Sequence, residues 1–364
     1  MEFYNTNISK ESFALANEVF SSTYLSAGKM AARFETELNR KLGLENPVSV
    51  NSGTSALHLA LSVAKIGRDD EVILSPQTFV ATGMVILMQG AKPVFADIQY
   101  ETGNIDPSSI KDKITSKTKA ILPVHWGGYP CDMDEINEIA SKNGALVIED
   151  AAHALGAKYK NKPIGSISQF TAFSFQAIKH LTTGDGGALC CKNTEDYELA
   201  KKCRWFGIDR ENSSPSILGE RIYDINEIGY KYHLNDLASA IGLGNLQTID
   251  NIVNKHITIA NKYKTELKDV PGLKLLNYSA DRESSYWLFT VLVEKREEFI
   301  RALKDRGVPT SVVHQRIDRN SIFGITPGLY NQEKFDSHQI SIPIHNGLTE
   351  ADVEQVIKAV KEGW

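Results

Sequence analysis

The chain has little of what marks several common protein classes. Its four cysteines, Cys131, Cys190, Cys191 and Cys203, form no CxxC pair, so we expect reduced thiols, no disulfide framework and no metal site. The net charge is -5 without a dense Lys/Arg cluster, which disfavours nucleic-acid binding. No cationic apolar leader opens the sequence and no apolar run is long enough to cross a bilayer. We therefore expect a cytoplasmic protein.

Short apolar runs alternate with helical patterns between about residues 45 and 192. The runs are PVSV (47–50), EVILSP (71–76), KPVFADI (92–98), KAILPVHW (119–126), ALVIEDAA (145–152), FTAFSF (170–175) and GGALCC (186–191). Segments between several of them carry apolar residues at i, i+3, i+4 and i+7, as amphipathic helices do. This alternation predicts an α/β fold with a mostly parallel sheet sandwiched by helices. Ligands of such sheets bind beyond the carboxyl ends of the strands.

The pattern changes after about residue 250. A long helical segment (about 250–268), a strand-like YWLFTVLV (286–293), a helix, a short ISIPI run and a terminal helix follow. We interpret residues 1–250 as a large domain and residues 251–364 as a smaller α+β domain. The helical residues 1–40 are expected to pack on the smaller domain, and ENSSPSILGE (211–220) is expected to be an exposed loop.

Residues after the first two strands suggest a ligand site. NSGTS (51–55) opens a helix with small residues, and the free backbone N–H groups and hydroxyls of such a helix start suit a phosphate. A plain N-cap is the alternative, since Ser and Thr favour that position. Phe79 follows the second strand, where it either stacks on a flat ring or belongs to the core.

Acidic residues end a central strand. Glu149 and Asp150 close an apolar run, and a half-buried carboxylate there needs a partner such as a protonated ring nitrogen. His153 lies three residues further on, within reach of the same ring. The alternative is an acidic N-cap of a following helix.

Lys179 lies in the unusual stretch SFQAIKHLTTGDGG (174–187). Ser174 ends a strand five residues earlier, and a glycine-rich turn with wide backbone freedom follows. A lysine that forms a Schiff base must lose its proton near neutral pH, through burial or a cationic neighbour. The turn leads into a strand and not a helix, which disfavours a dinucleotide site. A phosphate-binding helix start, a ring stacker, an acid and an amine together match the needs of pyridoxal phosphate.

The ordered motifs SGTSAL, SPQTFVAT, EDAAHALG, SFQAIKHLTTGDGG and GYKYHLND resemble the DegT/DnrJ/StrS sugar aminotransferases, which are fold-type-I pyridoxal phosphate enzymes with an aspartate-aminotransferase-like fold. The resemblance implies that Lys179 forms the Schiff base and later moves the proton. It also implies roles for the other candidates: Asp150 on the pyridine nitrogen, His153 near the ring hydroxyl, Phe79 stacked on the ring, and Gly53, Thr54 and Ser174 at the phosphate.

The same resemblance implies a ping-pong reaction. L-Glutamate donates nitrogen, and a nucleotide-linked 4-keto-6-deoxy or 3-keto hexose accepts it, for O-antigen, lipopolysaccharide or other glycoconjugate biosynthesis. It further implies a homodimer with the active site at the interface, where the partner's GYKY segment would bring Lys231 to the phosphate.

Some positions depart from the family's commonest pattern. His153 stands where many members have Gln. His also occurs at this position in relatives that act on cyclitols, so a cyclitol or another non-nucleotide ketone is an alternative substrate. A cofactor-retaining regulator is a further alternative. Lys179 is present where sugar-dehydrating members carry His, so transamination is favoured, with His180 a bystander. VPTSVVHQRIDRNSIFG (308–324) brings His314, Arg316, Asp318 and Arg319 close together. Either the two arginines and the histidine bind a diphosphate or the donor's carboxylate, or the segment is a solvated charged loop.

Overall fold

The computed structural model describes residues 1–210, 212–324 and 326–364. Within these ranges the helices are α1 (Lys10–Ser22), α2 (Lys29–Leu42), α3 (Gly53–Val63), α4 (Val80–Met88), α5 (Pro107–Lys113), α6 (Met133–Lys142), α7 (Thr194–Cys203), α8 (Asp236–Leu246), α9 (Ile249–Leu267), α10 (Arg296–Asp305), α11 (Tyr330–His338) and α12 (Glu350–Lys361). None of these helices is both long enough and apolar enough to cross a membrane.

The strands of the described residues are short. They are β1 (Pro47–Val50), β2 (Glu71–Leu74), β3 (Lys92–Phe95), β4 (Thr118–Leu122), β5 (Leu146–Asp150), β6 (Lys158–Tyr159), β7 (Lys162–Pro163), β8 (Phe170–Ser174), β9 (Gly187–Cys191), β10 (Ser214–Pro215), β11 (Arg221–Ile222), β12 (Leu273–Leu275), β13 (Arg282–Glu283), β14 (Phe289–Val293) and β15 (Gln339–Ile342). Each of the seven apolar runs predicted before residue 192 contains a strand.

The main sheet has the order β1-β9-β8-β5-β4-β2-β3. Strands β3, β2, β4, β5 and β8 run parallel to one another, whereas β9 is antiparallel to both β8 and β1. The prediction of a mostly parallel α/β sheet is therefore confirmed. Because the parallel strands all end at one edge, the loops that follow them meet there.

Helices cover both faces of this sheet. Val72 and Leu74 of β2 pack into one apolar cluster, and Ile73 between them packs into the other. Successive side chains of a strand point to opposite faces, so a strand buried on both sides must be apolar throughout. This explains why the strands appear in the sequence as unbroken apolar runs.

A second, smaller sheet is formed by residues that follow α9 in the sequence. Strands β12, β14 and β15 form an antiparallel sheet whose core includes Tyr263 and Phe289. Helix α9 joins the two parts, because Ile249 and Val253 near its start belong to the core of the main sheet, while Ile259 and Tyr263 belong to the second core. The division into domains of residues 1–250 and 251–364 stays a prediction.

The N-terminal segment lies elsewhere than expected. Helices α1 and α2 pack mainly on α8, where Ser9 and Ser12 hydrogen-bond the Asn245 side chain. Gly244 allows this contact, because a Cβ there would lie 2.2 Å from the Ser12 nitrogen. The residues before α1 do contact the second sheet's side, where His345 Nε2 hydrogen-bonds the Glu2 carbonyl at 3.1 Å. The expectation that residues 1–40 pack on the smaller domain is thus wrong for the helices.

Residues 212–220 of the predicted loop contain the first strand and the tip of a small exposed hairpin. Ser214–Pro215 pairs with Arg221–Ile222, and Ile217 and Leu218 at its tip are almost fully exposed. Glu211, the first residue of that predicted loop, lies outside the described residues.

Candidate active site

A cavity of about 360 Å³ lies at the carboxyl ends of the parallel strands. It brings together eight of the residues selected from the sequence: Gly53, Thr54, Phe79, Asp150, His153, Ser174, Lys179 and His314. Lys231, Arg316 and Arg319 do not line it. The convergence follows from the topology, because these loops leave neighbouring strands at the same edge of the sheet.

The start of α3 forms one wall. Ser52 is the N-cap, and its hydroxyl accepts a hydrogen bond from the Ser55 N–H at 3.0 Å. The N–H groups of Gly53 and Thr54 have no carbonyl one turn earlier in the helix to bond. A Cβ at Gly53 would lie 2.9 Å from the Ser174 Cβ, so only glycine lets the two loops approach. The N-cap and the anion-binding interpretations therefore describe adjacent residues of one helix start.

Asp150 is buried at the end of β5 and bonded on both oxygens. Thr82 donates its hydroxyl hydrogen to Oδ2 at 2.7 Å, and the Ala152 N–H donates to Oδ1 at 3.1 Å. Burial raises the pKa of Asp150, while these two hydrogen bonds lower it. The chain after Asp150 makes turns and no helix, so the N-cap alternative for this carboxylate is wrong.

Glu149 points to the opposite face of the strand, as the alternation of β5 requires. Its carboxylate accepts from the Ser168 N–H at 3.1 Å and pairs with His125 Nε2 at 2.8 Å, with both side chains fully buried. Glu149 thus has a complete set of protein partners, whereas Asp150 faces the cavity.

Lys179 is held in a closed loop. The Phe175 N–H donates to the Gly186 carbonyl at 2.8 Å, and the Thr183 N–H donates back to the Phe175 carbonyl at 3.0 Å. Gly184 completes the turn with a φ of +85°, a conformation that suits glycine. Burial lowers the pKa of Lys179 to about 7, although the charge of Asp150 acts in the opposite direction. A large share of its amine is therefore unprotonated at neutral pH.

Two imidazoles and an aromatic ring cover the cavity. His153 is buried, its Nδ1 has no hydrogen-bond partner among the described residues, and burial lowers its pKa well below the usual value. His314 lies 5.9 Å from the His153 ring and 5.2 Å from the Phe79 ring, between centroids. Burial lowers the pKa of His314 to about 4. Phe79 is 54% exposed, so it is a cavity residue and not part of the core.

The two arginines selected from the sequence are engaged elsewhere. Arg316 is buried and donates Nε–H to Asp318 Oδ1 at 2.7 Å, with a second bond from Nη2 to Oδ2. Arg319 pairs with Asp336 at 2.8 Å. Each guanidinium thus has a carboxylate partner within the protein, and neither arginine lines the cavity. Lys231 is exposed, and its ammonium lies 4.6 Å from the Trp205 ring centroid.

Two contributors were not selected from the sequence. Thr82 holds Asp150 but looks like any helical threonine, one turn after another threonine. Trp287 lies two residues before the apolar strand β14, in a run where an aromatic residue indicates core. It lines the cavity from the second sheet's side, and no local pattern distinguishes it from a buried Trp.

Comparison with known proteins identifies this arrangement. The model of the DegT/DnrJ/EryC1/StrS aminotransferase family matches residues 6–361. The chain belongs to this family. It is 38% identical to the spore coat polysaccharide biosynthesis protein SpsC of Bacillus subtilis, over 98% of this chain and 95% of that protein. It is 33% identical to the GDP-perosamine synthase of Escherichia coli O157:H7, over 93% and 89%.

Solved structures agree with the family assignment. The fold superimposes on AtS13 from Actinomadura melliaura with a TM-score of 0.96 at 38% identity, covering 100% of this chain and 99% of that one. Structures with the same fold include pyridoxal phosphate and pyridoxamine phosphate forms of a sugar aminotransferase. This chain is a sugar aminotransferase of fold type I, and its cofactor is pyridoxal phosphate.

The cavity fits that cofactor in three respects. A buried lysine with a pKa of about 7 supplies an amine, and the start of α3 supplies donors for a phosphate. Nδ1 of buried His153, which has no partner within the described ranges, offers a hydrogen-bonding position in the cavity wall. Buried polar atoms normally have partners, so an unpaired one facing a cavity is consistent with a site that receives a polar ligand.

Proposed function

We propose that this aminotransferase moves the amino group of L-glutamate to a nucleotide-linked keto-deoxysugar, a 4-keto-6-deoxy or 3-keto hexose, whose amino product enters a glycan such as an O-antigen. The observation that carries the chemical part is the buried Lys179 amine with its lowered pKa, in one cavity with the Asp150 carboxylate. The sugar part rests on the family and on relatives such as the GDP-perosamine synthase.

Pyridoxal phosphate, when bound, supplies an electron sink for the carbon atom that loses or gains a proton. In the proposal the Lys179 amine would hold the cofactor through its aldehyde group, with loss of water. Asp150 would pair with the ring nitrogen, and His153 would lie near the ring hydroxyl. Gly53, Thr54 and Ser174 would hold the phosphate, and Phe79 would stack on the ring.

Lys179 is suited to move protons because its pKa lies near neutrality. A general acid–base group is most effective when its pKa is close to the working pH, so Nζ can take a proton from the donor substrate and return it to the acceptor. Asp150 serves as the fixed anion, since the Thr82 hydroxyl and the Ala152 N–H stabilise its charged form. Burial of both groups keeps water from competing for the proton.

His314 is proposed to contact the sugar. It lines the cavity beside Phe79, and with a pKa of about 4 it is neutral at pH 7. A neutral imidazole both donates and accepts a hydrogen bond, which suits sugar hydroxyl groups. Arg316 and Arg319 are assigned no substrate contact in this proposal, because Asp318 and Asp336 already pair with them.

The proposal includes a homodimer with the site at the interface. Exposed apolar side chains cluster on residues 217–228, where Ile217, Leu218, Ile222 and Ile228 are all more than half exposed, and surfaces of this kind usually bind a partner. Lys231 lies outside the cavity of its own chain, so its proposed phosphate contact requires Lys231 of the partner subunit. The four buried, unpaired cysteines support a reducing, cytoplasmic location.

A half-reaction screen tests the proposal. Pyridoxamine-form enzyme is mixed with GDP-, dTDP- and UDP-linked keto-sugars and with an inosose, and the return of the pyridoxal form is followed by absorbance. Rapid conversion by one nucleotide sugar supports the proposal, whereas conversion by the inosose alone supports the alternative that His153 raises, a cyclitol aminotransferase. Borohydride treatment of the loaded enzyme should attach the cofactor to Lys179. A protein that binds the cofactor and reacts with no amino donor would instead be a regulator.

A further inference from the structure

Trp287 makes the closest described aromatic contact with the proposed catalytic amine. The Lys179 Nζ lies 3.4 Å from the centroid of the Trp287 ring, and the His153 ring stacks on the indole at 3.9 Å with an interplanar angle of 20°. Trp287 is 2% exposed and precedes β14, so it reaches the site from the second sheet's side. One side chain thus touches both the amine and the imidazole that line the cavity.

The same indole also fixes the backbone beside the lysine. Its Nε1–H donates to the Ile178 carbonyl at 3.0 Å, one residue before Lys179. Tyr4, in the segment before α1, stacks on Trp287 at 5.6 Å with an interplanar angle of 20°. Trp287 is therefore held between the N-terminal segment and the lysine loop, and its position is set by contacts on several sides.

Trp287 also separates two cavities. Ile178, Lys179 and Trp287 line both the active-site cavity and a smaller rear cavity. The rear cavity is bounded further by polar and imidazole groups, among them His180 and His256, and His180 Nε2 has no partner among the described residues. A shorter side chain at position 287 would connect the two cavities and admit water to the amine from behind.

We propose that Trp287 is a positioning residue for Lys179, in which the indole face covers the amine and the indole N–H fixes the adjacent Ile178 carbonyl. Tyr4 supports Trp287 from the N-terminal segment. This inference rests on the proposed role of Lys179 in the reaction.

The indole affects the pKa of Lys179 in two opposite ways. Burial disfavours the ammonium and is the main cause of the lowered pKa of Lys179, whereas the indole face attracts a cation. Removing the whole ring admits water, so the pKa should rise toward its ordinary value, while a phenyl ring should preserve the cover. Asp150, His153, His180 and His314 interact electrostatically with the amine. The substitution replaces none of these residues, although His153 loses its stacking contact with the indole.

The experiment measures the reactivity of Lys179 in the full-length protein freed of cofactor. A trace of acetic anhydride labels the amine at a series of pH values, and mass spectrometry quantifies the peptide that carries Lys179. The wild type should show a midpoint near pH 7. In Trp287→Ala the midpoint should rise by one pH unit or more, which lowers the unprotonated fraction at pH 7 by about five-fold or more.

Trp287→Phe separates the two parts of the role. Its midpoint should stay within about half a unit of the wild type because a ring still covers the amine, but hydrogen exchange at residues 178–183 should accelerate because the bond to the Ile178 carbonyl is gone. Trp364→Phe is the matched control, since Trp364 packs on Phe299 and bonds the Glu294 carbonyl outside both cavities. It should leave midpoint and exchange unchanged.

The inference is overturned if Trp287→Ala keeps the wild-type midpoint while circular dichroism shows that it is folded. Should that variant fail to fold, Tyr4→Ala replaces it, with Tyr4→Phe as its ring-retaining control, and an unchanged midpoint in Tyr4→Ala overturns the inference in the same way. Borohydride attachment of the cofactor in the wild type is scored separately. Its failure would refute the role of Lys179 and leave the labelling result on the Trp287 contact intact.

Discussion

Thr82 offers a sensitive test of how the buried Asp150 is kept charged. Its hydroxyl donates to Asp150 Oδ2 at 2.7 Å and lies 2.7 Å from the Thr78 hydroxyl. Thr82→Val removes the donor to the carboxylate while changing little in shape. A hydrogen bond to a charged group contributes about 1.5–3 kcal/mol, so we expect the free energy of unfolding at pH 7 to fall by about that amount.

The pH dependence gives the stricter test. Burial raises the folded-state pKa of Asp150 above its unfolded value, so stability gained from the protonated form is present at low pH and is lost as pH rises through the folded pKa. Loss of the Thr82 hydroxyl raises this pKa further. At pH values above the pKa, each unit of that rise adds about 1.4 kcal/mol to the difference in the free energy of unfolding between wild type and Thr82→Val. At pH values below the pKa this difference shrinks.

Urea unfolding of the cofactor-free proteins between pH 4 and pH 8 measures this difference. Thr78→Val is the matched control, because Thr78 bonds Thr82 but not Asp150, and loss of a neutral hydrogen bond should cost about 1 kcal/mol at every pH. The affinity for pyridoxal phosphate should drop about ten-fold in Thr82→Val and stay near wild type in Thr78→Val. A pH-independent loss of equal size in both variants would refute the reasoning.

Three further predictions concern other parts of the site. Gly53→Ala places a Cβ 2.9 Å from the Ser174 Cβ, so we expect a stability loss of about 1–3 kcal/mol together with weaker cofactor binding, measured by thermal unfolding and absorbance titration. Arg316→Met leaves the buried Asp318 without its partner. We expect the free energy of unfolding to fall by about 3–5 kcal/mol while KM for the sugar stays unchanged. A raised KM at unchanged stability would contradict the structural role of Arg316. If Lys231 of the partner subunit completes each site, mixing Lys179→Ala with Lys231→Ala chains under subunit exchange should restore about a quarter of wild-type activity from two inactive proteins, and no restoration would argue against a shared site.

Most of the candidate site residues named from the sequence line one cavity because they follow strands of the main sheet. Asp150, Ser174 and Lys179 each stand at or after the end of an apolar run, and a parallel sheet necessarily brings such positions to one edge. The distinction between Glu149 and Asp150 also follows from strand alternation, but only once it is known which face of β5 meets the cavity.

Other residues could not be placed by local pattern. Arg316 and Arg319 resembled a ligand-gripping cluster, and only the folded chain shows Asp318 and Asp336 as their partners. The N-terminal helices carry apolar residues without any mark of the surface they cover, so their packing on α8 was not foreseen. Trp287 is distant in sequence from Lys179, and no local pattern connects the two.

The α/β class, the order of the strands along the chain and the candidate lysine and carboxylate could be predicted from the sequence, because periodicity and motif spacing are local properties. The tertiary structure alone decided the environment of these groups: the burial that lowers the pKa of Lys179 to about 7, the Thr82 hydroxyl on Asp150 and the Trp287 indole over the amine. These depend on contacts between residues about 70 to 110 positions apart. Only the packing of the folded chain brings such residues together, and only in that packing do desolvation and hydrogen bonding act on them.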